Sequence, residues 1–264
     1  MNQRQTIRWS LIGLIAVLAV ALTFVALNIQ GGDSAEAKPK SPSDKVSSDA
    51  SLQGVGWWPA REKKGQSVAD PVGGHGATLI GGAGWAQGPH GSALLFDGRT
   101  GSADTGAQVL DTVNDDYTVS ALVRLDADGF RTAVSLDGKD SSVFYLQYVP
   151  EGKRFAFSFA NKRALAKGVP APEFGRWYHL TGTYSHADSQ LRIYVDGKAA
   201  GKITARNPEQ PTGHLVIGRG KFKGKGADFW PGAIGNVRVF ARALGPAEVG
   251  RLAQQDGAQQ DGAQ

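Results

Sequence analysis

The sequence contains no cysteine and a single methionine among its 264 residues. The absence of cysteine excludes disulfide bonds, thiolate zinc sites, iron–sulfur clusters, a cysteine nucleophile and a lipid-modified N-terminal cysteine. Glycine, by contrast, occurs 36 times, which is about twice its ordinary usage. So many glycines indicate a fold with many turns and argue against a mostly helical protein.

An apolar run without a charged residue covers residues 11–29 and follows Arg4 and Arg8. A helix of that length would span roughly 28 Å at about 1.5 Å per residue, close to the hydrocarbon thickness of a bilayer. The two arginines favour a cytoplasmic location for residues 1–10 and an outside location for everything after the run. We therefore predict a transmembrane anchor over residues 11–29. A cleaved signal segment, with the small-x-small motif at residues 35–37 as its cleavage site, remains the alternative, and it also exports the chain.

The two ends of the remaining chain have little to bury. Residues 30–53 are rich in serine, proline, lysine and aspartate, which predicts a disordered tether. Residues 253–264 contain two copies of Ala-Gln-Gln-Asp-Gly without an apolar face, which predicts a disordered low-complexity tail. Residues 54–252 are left as one folded domain, and their number suits a single large all-β unit.

Alternation of apolar and polar residues dominates the predicted domain and is typical of strands with one buried face. Residues 117–125 show it most clearly, and Asp196-Gly197 follows another such strand with a hairpin-turn dipeptide. Many short strands at close spacing predict a sandwich, a jelly roll or a barrel. Pro246, Glu248 and the apolar pair Val249 and Leu252 predict one short C-terminal helix. The predicted strands cover residues 77–80, 93–96, 117–125, 132–136, 143–149, 155–160, 177–184, 191–196, 215–217 and 233–240.

Six blocks stand in this order along the chain: residues 76–85, 93–98, 117–125, 177–184, 191–198 and 229–244. Together they resemble the laminin-G-like jelly-roll domains of the concanavalin A-like group found in exported bacterial proteins. The resemblance covers about residues 55–252 and implies a two-sheet antiparallel jelly-roll sandwich with a short C-terminal helix. Such a fold carries lectins, adhesion modules and some enzymes, so it does not decide the function. Leu122 stands where the family usually has tryptophan, and Gly235 and Asn236 stand where it usually has acidic residues.

The missing acidic residues bear on a possible calcium site. If the family's carboxylates hold a structural calcium ion, this chain lacks them at Gly235 and Asn236. Asp97 and Asp70 could still form a site with backbone carbonyls, because calcium takes six to eight oxygen ligands. The alternative is that both are turn residues, since Asp97 precedes a glycine and Asp70 a proline.

Candidate ligand-binding residues lie near a basic segment. Lys221, Phe222 and Lys223 combine cations with an aromatic ring, and Phe229 and Trp230 follow shortly afterwards. Exposed rings stack on sugars, and lysines attract anionic polymers, so these five residues are the predicted carbohydrate or anion contacts. We expect Trp230 to be exposed; the alternative is that the segment is only a solvated loop. No nucleic-acid motif is present, and nucleic acid is not expected as a partner.

Residue types needed for catalysis do not group together. A jelly-roll glycosidase needs two carboxylates about 5–10 Å apart across a cleft, but none of the domain's glutamates lies on a predicted alternating strand. No pair of histidines has metal-ligand spacing. His179 shares a face with Thr181 and Thr183, which favours a structural, hydrogen-bonded histidine over a catalytic base. The glutamates are Glu62, Glu151, Glu173, Glu209 and Glu248.

The sequence therefore predicts an exported all-β domain, without catalytic residues, that binds carbohydrate at the cell surface. A structural or protein–protein interaction module of the adhesion type is the alternative, and its partner would be a cell-surface protein. A glycan-cleaving enzyme ranks third, because no carboxylate pair supports it.

Overall fold

The computed structural model of the chain describes Leu52 and residues 54–206 and 209–257. The predicted cytoplasmic segment 1–10, the predicted membrane segment 11–29 and most of the predicted tether lie outside these residues. Within the described part of the chain, no helix is long and apolar enough to cross a membrane.

The described residues fold into an all-β sandwich with one C-terminal helix, as the sequence predicts. Every strand pair is antiparallel. The elements are β1 (Gly56–Trp58), β2 (Ser67–Val68), β3 (Ala77–Ile80), β4 (Ala83–Ala86), β5 (Ala93–Asp97), β6 (Ser102–Asp104), β7 (Tyr117–Leu125), β8 (Arg131–Asp137), β9 (Ser142–Val149), β10 (Arg154–Phe159), β11 (Lys162–Leu165), β12 (Trp177–Ser185), β13 (Gln190–Val195), β14 (Lys198–Thr204), β15 (Leu215–Ile217), β16 (Gly220–Phe222), β17 (Lys225–Ala227), β18 (Pro231–Phe240) and α1 (Pro246–Gly257).

Two eight-stranded sheets form the sandwich. The first, sheet A, has the order β14-β13-β12-β7-β18-β5-β4, with β1 paired to β18. The second, sheet B, has the order β11-β10-β9-β8-β15-β6-β3-β2. The hairpin β16–β17 forms a small sheet of its own. All ten strands predicted from alternation are present, with ends shifted by at most two residues.

The core lies between the sheets and uses the predicted faces. The alternate residues of β7 that begin with Tyr117 and end with Leu125 belong to it, and so do Phe155, Phe157 and Phe159 of β10. Gly182 on β12 lies directly against the Phe157 ring, so that a Cβ at this position would overlap the ring. His179, Thr181 and Thr183 occupy the opposite face of β12. That face is therefore free to meet another element.

Helix α1 covers part of this opposite face of sheet A. Its residues Val249 and Leu252 are buried in a small apolar cluster with Tyr194, Phe240 and Leu244. The N-terminus is closed by Glu248, whose Oε2 accepts a hydrogen bond from the Gly245 amide at 2.9 Å. The predicted helix start is thus confirmed, and this bond is the half of a capping box in which the third helical residue reaches back to the N-cap amide.

Both predicted domain boundaries need correction. Leu52, assigned to the tether, is only 2% exposed and packs in the cluster under α1. Residues 253–257, assigned to the disordered tail, form the last turn of α1. The sequence repeat has no apolar face, but Asp256 is 1% exposed and bonded to the sheet, so polar contacts hold this turn. Residues 258–264 lie outside the described part.

Candidate functional site

A buried polar cluster fixes the end of α1 to sheet A. The Asp256 carboxylate accepts a hydrogen bond from Asn236 Nδ2 at 2.6 Å. Arg238 Nη2 lies 3.4 Å from the same oxygen, and His179 Nε2 lies 3.1 Å from the other, at an angle outside the hydrogen-bond range. Trp57 donates its indole N–H to Asn236 Oδ1. One carboxylate thus links β12 and β18 to the helix, and Asn236 extends the cluster to β1.

The charges in this cluster are partly compensated. Burial lowers the pKa of Arg238 from its ordinary value, while the Asp256 carboxylate acts in the opposite direction. The guanidinium also lies over the Trp57 ring, 5.0 Å from its centroid. A buried charge is tolerated when it is paired and hydrogen-bonded. The cluster is therefore a structural connection, and it positions the helix.

Beside the cluster, α1 and sheet A border an open cavity of about 740 Å³. Such a volume lies within the range of small-molecule sites. The helix contributes mainly small residues, and the sheet and the loop before β12 contribute an aromatic ring and several polar groups. The lining residues are Leu122, Gly175, Arg176, Trp177, His179, Asp196, Gly197, Lys198, Gly250, Ala253, Gln254 and Gly257.

Trp177 is the most distinctive residue of the cavity. The indole N–H groups of Trp57, Trp58, Trp85 and Trp230 each donate a hydrogen bond to the protein. Trp177 is the one tryptophan in the described part of the chain whose indole N–H has no protein acceptor, and this nitrogen is not buried. Its ring is fixed from one side by Arg124, whose guanidinium lies 5.8 Å from the ring centroid. Arg124 is itself held by Asp126 at 3.0 Å.

The turn between β13 and β14 borders the cavity as the sequence predicts. Asp196 and Gly197 both have positive φ, 49° and 76°, as expected for a tight two-residue hairpin. Asp196 Oδ1 accepts the backbone N–H of His179 at 2.9 Å, which leaves its other carboxylate oxygen without a protein donor in the described residues. A Cβ on Gly197 would lie 3.0 Å from Ala253, so this turn and α1 are in close contact.

The structure shows what surrounds Leu122 and Asn236, two positions at which the sequence differs from the family that it resembles. Leu122 is paired with His179 across β7 and β12, and it lines the cavity. A tryptophan, usual at this position in the family that the sequence resembles, would occupy part of the space. Asn236 lies within 2.6 Å of Asp256, so an acidic residue there would place two carboxylates side by side.

The predicted ligand residues divide into two groups. Phe222 is 54% exposed, and Lys223 Nζ lies 5.4 Å from its ring centroid, so these two form an accessible pair. Lys221 is half-buried, and its Nζ donates to the Gly138 carbonyl at 2.9 Å. The structure therefore keeps Phe222 and Lys223 as candidates and gives Lys221 a structural contact.

Trp230, expected to be exposed, is fully buried in the core at 0% exposure, and that expectation is wrong. Its indole N–H donates to the Arg124 carbonyl at 3.0 Å, so its polar atom is satisfied inside the protein. Phe229 is half-buried, and its carbonyl accepts a hydrogen bond from Arg131 Nη1 at 3.0 Å. Trp230 stands one residue before β18, and its amide donates to the Gly218 carbonyl at 2.8 Å, so this residue is held inside while the hairpin before it stays exposed.

The two aspartates proposed for calcium stabilise separate loops. Asp97 accepts hydrogen bonds from the amides of Arg99, Thr100 and Gly101. Burial raises the pKa of Asp97, but these hydrogen bonds outweigh it and lower the pKa well below its usual range. Asp70 likewise accepts amide hydrogen bonds, in the loop around residues 70–75. In the residues described, no group of three or more His, Asp or Glu side chains could hold a metal ion. The turn interpretation fits both aspartates better.

The glutamates occupy the positions that the sequence indicates. Within the described ranges none of the five lies on a strand. The lining of the cavity includes one carboxylate, Asp196. His179 is buried, with Nδ1 3.5 Å from Thr181 Oγ1 and Nε2 beside the Asp256 carboxylate. The arrangement offers aromatic stacking and hydrogen bonding to a polar ligand, and it lacks the pair of carboxylates that glycoside hydrolysis requires.

Comparison with solved structures shows the same fold in proteins with a link to carbohydrate. Domain 4 of the extracellular arabinanase AbnA of Geobacillus stearothermophilus, solved with arabinotriose, is 17% identical, with a TM-score of 0.57, over 76% of this chain and 98% of that domain. Trypanosoma rangeli sialidase in complex with sialic acid is 22% identical, with a TM-score of 0.56, over 76% of this chain. The chain spans about a third of that sialidase, 33% of its length.

The binding domain of Paraclostridial Mosquitocidal Protein 1 is 13% identical, with a TM-score of 0.58, over 76% of this chain and 52% of that one. These identities support a shared fold alone. No curated protein matches the sequence. The family described as the concanavalin A-like lectin/glucanases superfamily, Laminin_G_3, matches residues 97–250, which is more than half of the chain. The protein is a member of this laminin-G-like, concanavalin A-like family.

Proposed function

We propose that this protein is a non-catalytic carbohydrate-binding module that acts outside the cytoplasm, with the cavity beside α1 as its sugar site. The observation that carries the proposal is the accessible indole of Trp177 in a cavity of about 740 Å³. Sugar rings stack on such an indole through their C–H faces, and its free N–H can donate to a hydroxyl.

The polar groups around Trp177 suit a hydroxylated ligand. Arg176 and Lys198 are exposed donors, and Gln254 can both donate and accept. Asp196 supplies an acceptor, because one of its oxygens is not used by the protein. A cavity with one aromatic surface and several convergent polar groups is typical of a small-ligand site.

Two further observations support the proposal. Leu122 enlarges the cavity at a position where a tryptophan would reduce it. The fold is also shared with a domain solved in complex with arabinotriose. The location outside the cytoplasm rests on the sequence prediction for residues 11–29. A protein–protein interaction module is the remaining alternative, and a failed glycan search on folded protein would favour it.

The test is binding of the full chain to a panel of oligosaccharides, including arabinan and cell-wall fragments, with calcium and with a chelator. We expect saturable binding to one glycan class. Trp177→Ala should weaken it by about tenfold, since an aromatic contact contributes on the order of 1 kcal/mol beyond its buried area. Leu122→Trp should weaken it by filling the cavity. The chelator arm decides whether calcium takes part.

Trp85→Ala is the matched control, because Trp85 borders a separate, smaller cavity of about 240 Å³ and its indole N–H is already bonded to Gly65. It should leave binding unchanged. Unchanged binding in Trp177→Ala and Leu122→Trp would reject this cavity as the site. Release of reducing ends from any bound glycan would reject the non-catalytic assignment.

A further inference from the structure

A second surface with ligand-binding chemistry lies on the hairpin β16–β17. The strands are joined by Lys223 and Gly224, both with positive φ, 50° and 74°. A non-glycine residue in this conformation carries a conformational cost, and it persists where the surroundings enforce it. Here the Gly224 amide donates to the Asp140 carbonyl at 2.8 Å, which fixes the turn against the β8–β9 loop.

Several contacts attach the base of the hairpin to sheet B. The Lys221 amide donates to Ser142 Oγ at 2.9 Å, and the Tyr145 hydroxyl donates to the Lys221 carbonyl at 2.6 Å. Arg219 forms two hydrogen bonds with the Asp137 carboxylate, at 2.9 and 3.1 Å. The tip is therefore held in one conformation before any ligand arrives, which reduces the entropy lost on binding.

The side chains of Phe222, Lys223 and Lys225 at the tip are exposed to solvent. Phe222 has the largest exposed fraction of the big apolar side chains in the described residues, 54%. Lys225 lies opposite it in the hairpin register, and Lys223 Nζ lies 5.4 Å from its ring centroid. In the part of the chain that the structure describes, neither lysine has a carboxylate within ion-pair distance. The tip thus presents an aromatic ring between two uncompensated cations.

We propose that this hairpin tip is a second docking site, independent of the cavity, which binds an anionic glycan. The ring of Phe222 would stack on a sugar, and the ammonium groups of Lys223 and Lys225 would pair with its carboxylate, sulfate or phosphate groups. The cavity lies under α1 on sheet A, whereas the hairpin is attached to sheet B. The proposal therefore does not depend on the sugar site at Trp177.

A single polymer chain fits this surface better than a flat anionic membrane. The Tyr117 and Phe144 rings are 5.5 Å apart, so β7 and β9 begin at the same end of the sandwich, where the hairpin tip also lies. This end carries the exposed carboxylates of Asp115 and Asp140 as well. A flat anionic surface would meet these carboxylates, whereas a polymer can follow the hairpin alone.

The experiment uses the full chain immobilised on a sensor and three polymers with one glucan backbone: dextran, carboxymethyl dextran and dextran sulfate. Inorganic polyphosphate tests a phosphate polymer without a sugar ring, and phosphatidylglycerol nanodiscs test a bilayer. We expect salt-sensitive binding to the charged dextrans, weaker binding to polyphosphate and none to neutral dextran. Screening of exposed charges by salt is the physical reason for the salt effect.

Lys223→Gln with Lys225→Gln should weaken binding to the charged dextrans by about tenfold, because each exposed ion pair contributes up to a factor of about five. Phe222→Ala should weaken it by about fivefold. The matched control is Lys167→Gln with Lys202→Gln, which removes the same charge at exposed positions on other strands and loops. It should change binding by less than about twofold.

Equal losses in both double variants would overturn the proposal, because they indicate attraction to net charge alone. Binding to nanodiscs without binding to the charged dextrans would also overturn it, and so would the lack of binding to any anionic polymer. Trp177→Ala separates the two sites, because it should leave binding to the charged dextrans intact. If Trp177→Ala abolishes that binding and the hairpin variants do not, the anionic glycan occupies the cavity, and only the hairpin proposal fails.

Discussion

The His179 imidazole and the Asp256 carboxylate lie 3.1 Å apart, with both side chains almost fully buried. Their contact connects the centre of sheet A to the last turn of α1. Because α1 forms one wall of the cavity beside Trp177, the same contact determines where that wall stands. The integrity of the candidate sugar site is thus coupled to a polar cluster of which His179 alone is among the residues that line the cavity in the described part of the chain.

Asn236→Asp should destabilise the protein, because it places a second carboxylate next to Asp256 in a buried site. Two adjacent carboxylates raise the pKa of one of them, and we expect a loss of about 3 kcal/mol in the free energy of unfolding at pH 7. The penalty of a carboxyl group with a raised folded-state pKa is full above that pKa and disappears toward the ordinary aspartate pKa of about 3.9, so stability should recover on acidification. Denaturant unfolding at several pH values measures both effects.

Asn236→Ala provides the control for this prediction. It removes the same hydrogen bonds to Trp57 and Asp256 without adding a charge, so its loss of stability should show no such recovery on acidification. Equal pH dependence in the two variants would show that charge repulsion is not the cause.

Gly182→Ala should destabilise the core, since the added methyl group would overlap the Phe157 ring. Overpacking of a dense core costs about 1–3 kcal/mol. Gly84→Ala is the matched control, because no atom lies within 4 Å of the position of its added Cβ. Thermal unfolding of the two variants should show a clear drop in the midpoint for the first and little change for the second. A similar midpoint in both would mean that the two sheets separate easily at this point.

Glu248 makes the stability of α1 depend on pH. The hydrogen bond with Arg242 is the largest of the effects that lower the pKa of Glu248 from 4.5. Burial raises this pKa, and the hydrogen bond from the Gly245 amide lowers it further. A lowered folded-state pKa means that the ionised group stabilises the fold above about 4.5, and that this stabilisation disappears as the pH falls through the lowered value.

We expect Glu248→Gln to cost about 0.5 kcal/mol at pH 7. Glutamine keeps a cap for Gly245, so the variant isolates the charge. The difference in unfolding free energy between the wild-type protein and this variant should stay constant from pH 7 to 5 and approach zero near pH 2. A difference that persists at pH 2 would contradict the proposed role of the charge.

The strands could be predicted from the sequence because each sheet has one face in a common core. Alternation at residues 117–125 identifies the core face of β7 without knowledge of its partners. The dipeptide Asp196-Gly197 identifies the turn between β13 and β14 from local backbone preference. The order of blocks along the chain then indicated the laminin-G-like fold.

The candidate site was predicted less well. The sequence around Trp230 looks like that of an exposed aromatic residue, but its indole and its amide are bonded to the Arg124 and Gly218 carbonyls inside the protein, and only the packed structure reveals this. Trp177 gave no separate signal, because it stands in a strand block that looks structural. A free indole N–H and a cavity are properties of the packed chain. The repeat at residues 253–257 looked disordered because the partners of Asp256 lie on distant strands.

The sequence by itself determined ten of the eighteen strands described, the Asp196-Gly197 turn, the start of the terminal helix and the family, because these depend on local conformation and on the period of buried side chains. Only the tertiary structure decided which aromatic residues are accessible and which carboxylates accept hydrogen bonds from backbone amides. It also decided that the last turn of α1 borders an open cavity on sheet A. Those properties arise where residues far apart in the chain meet, and no local pattern records which of them will be neighbours.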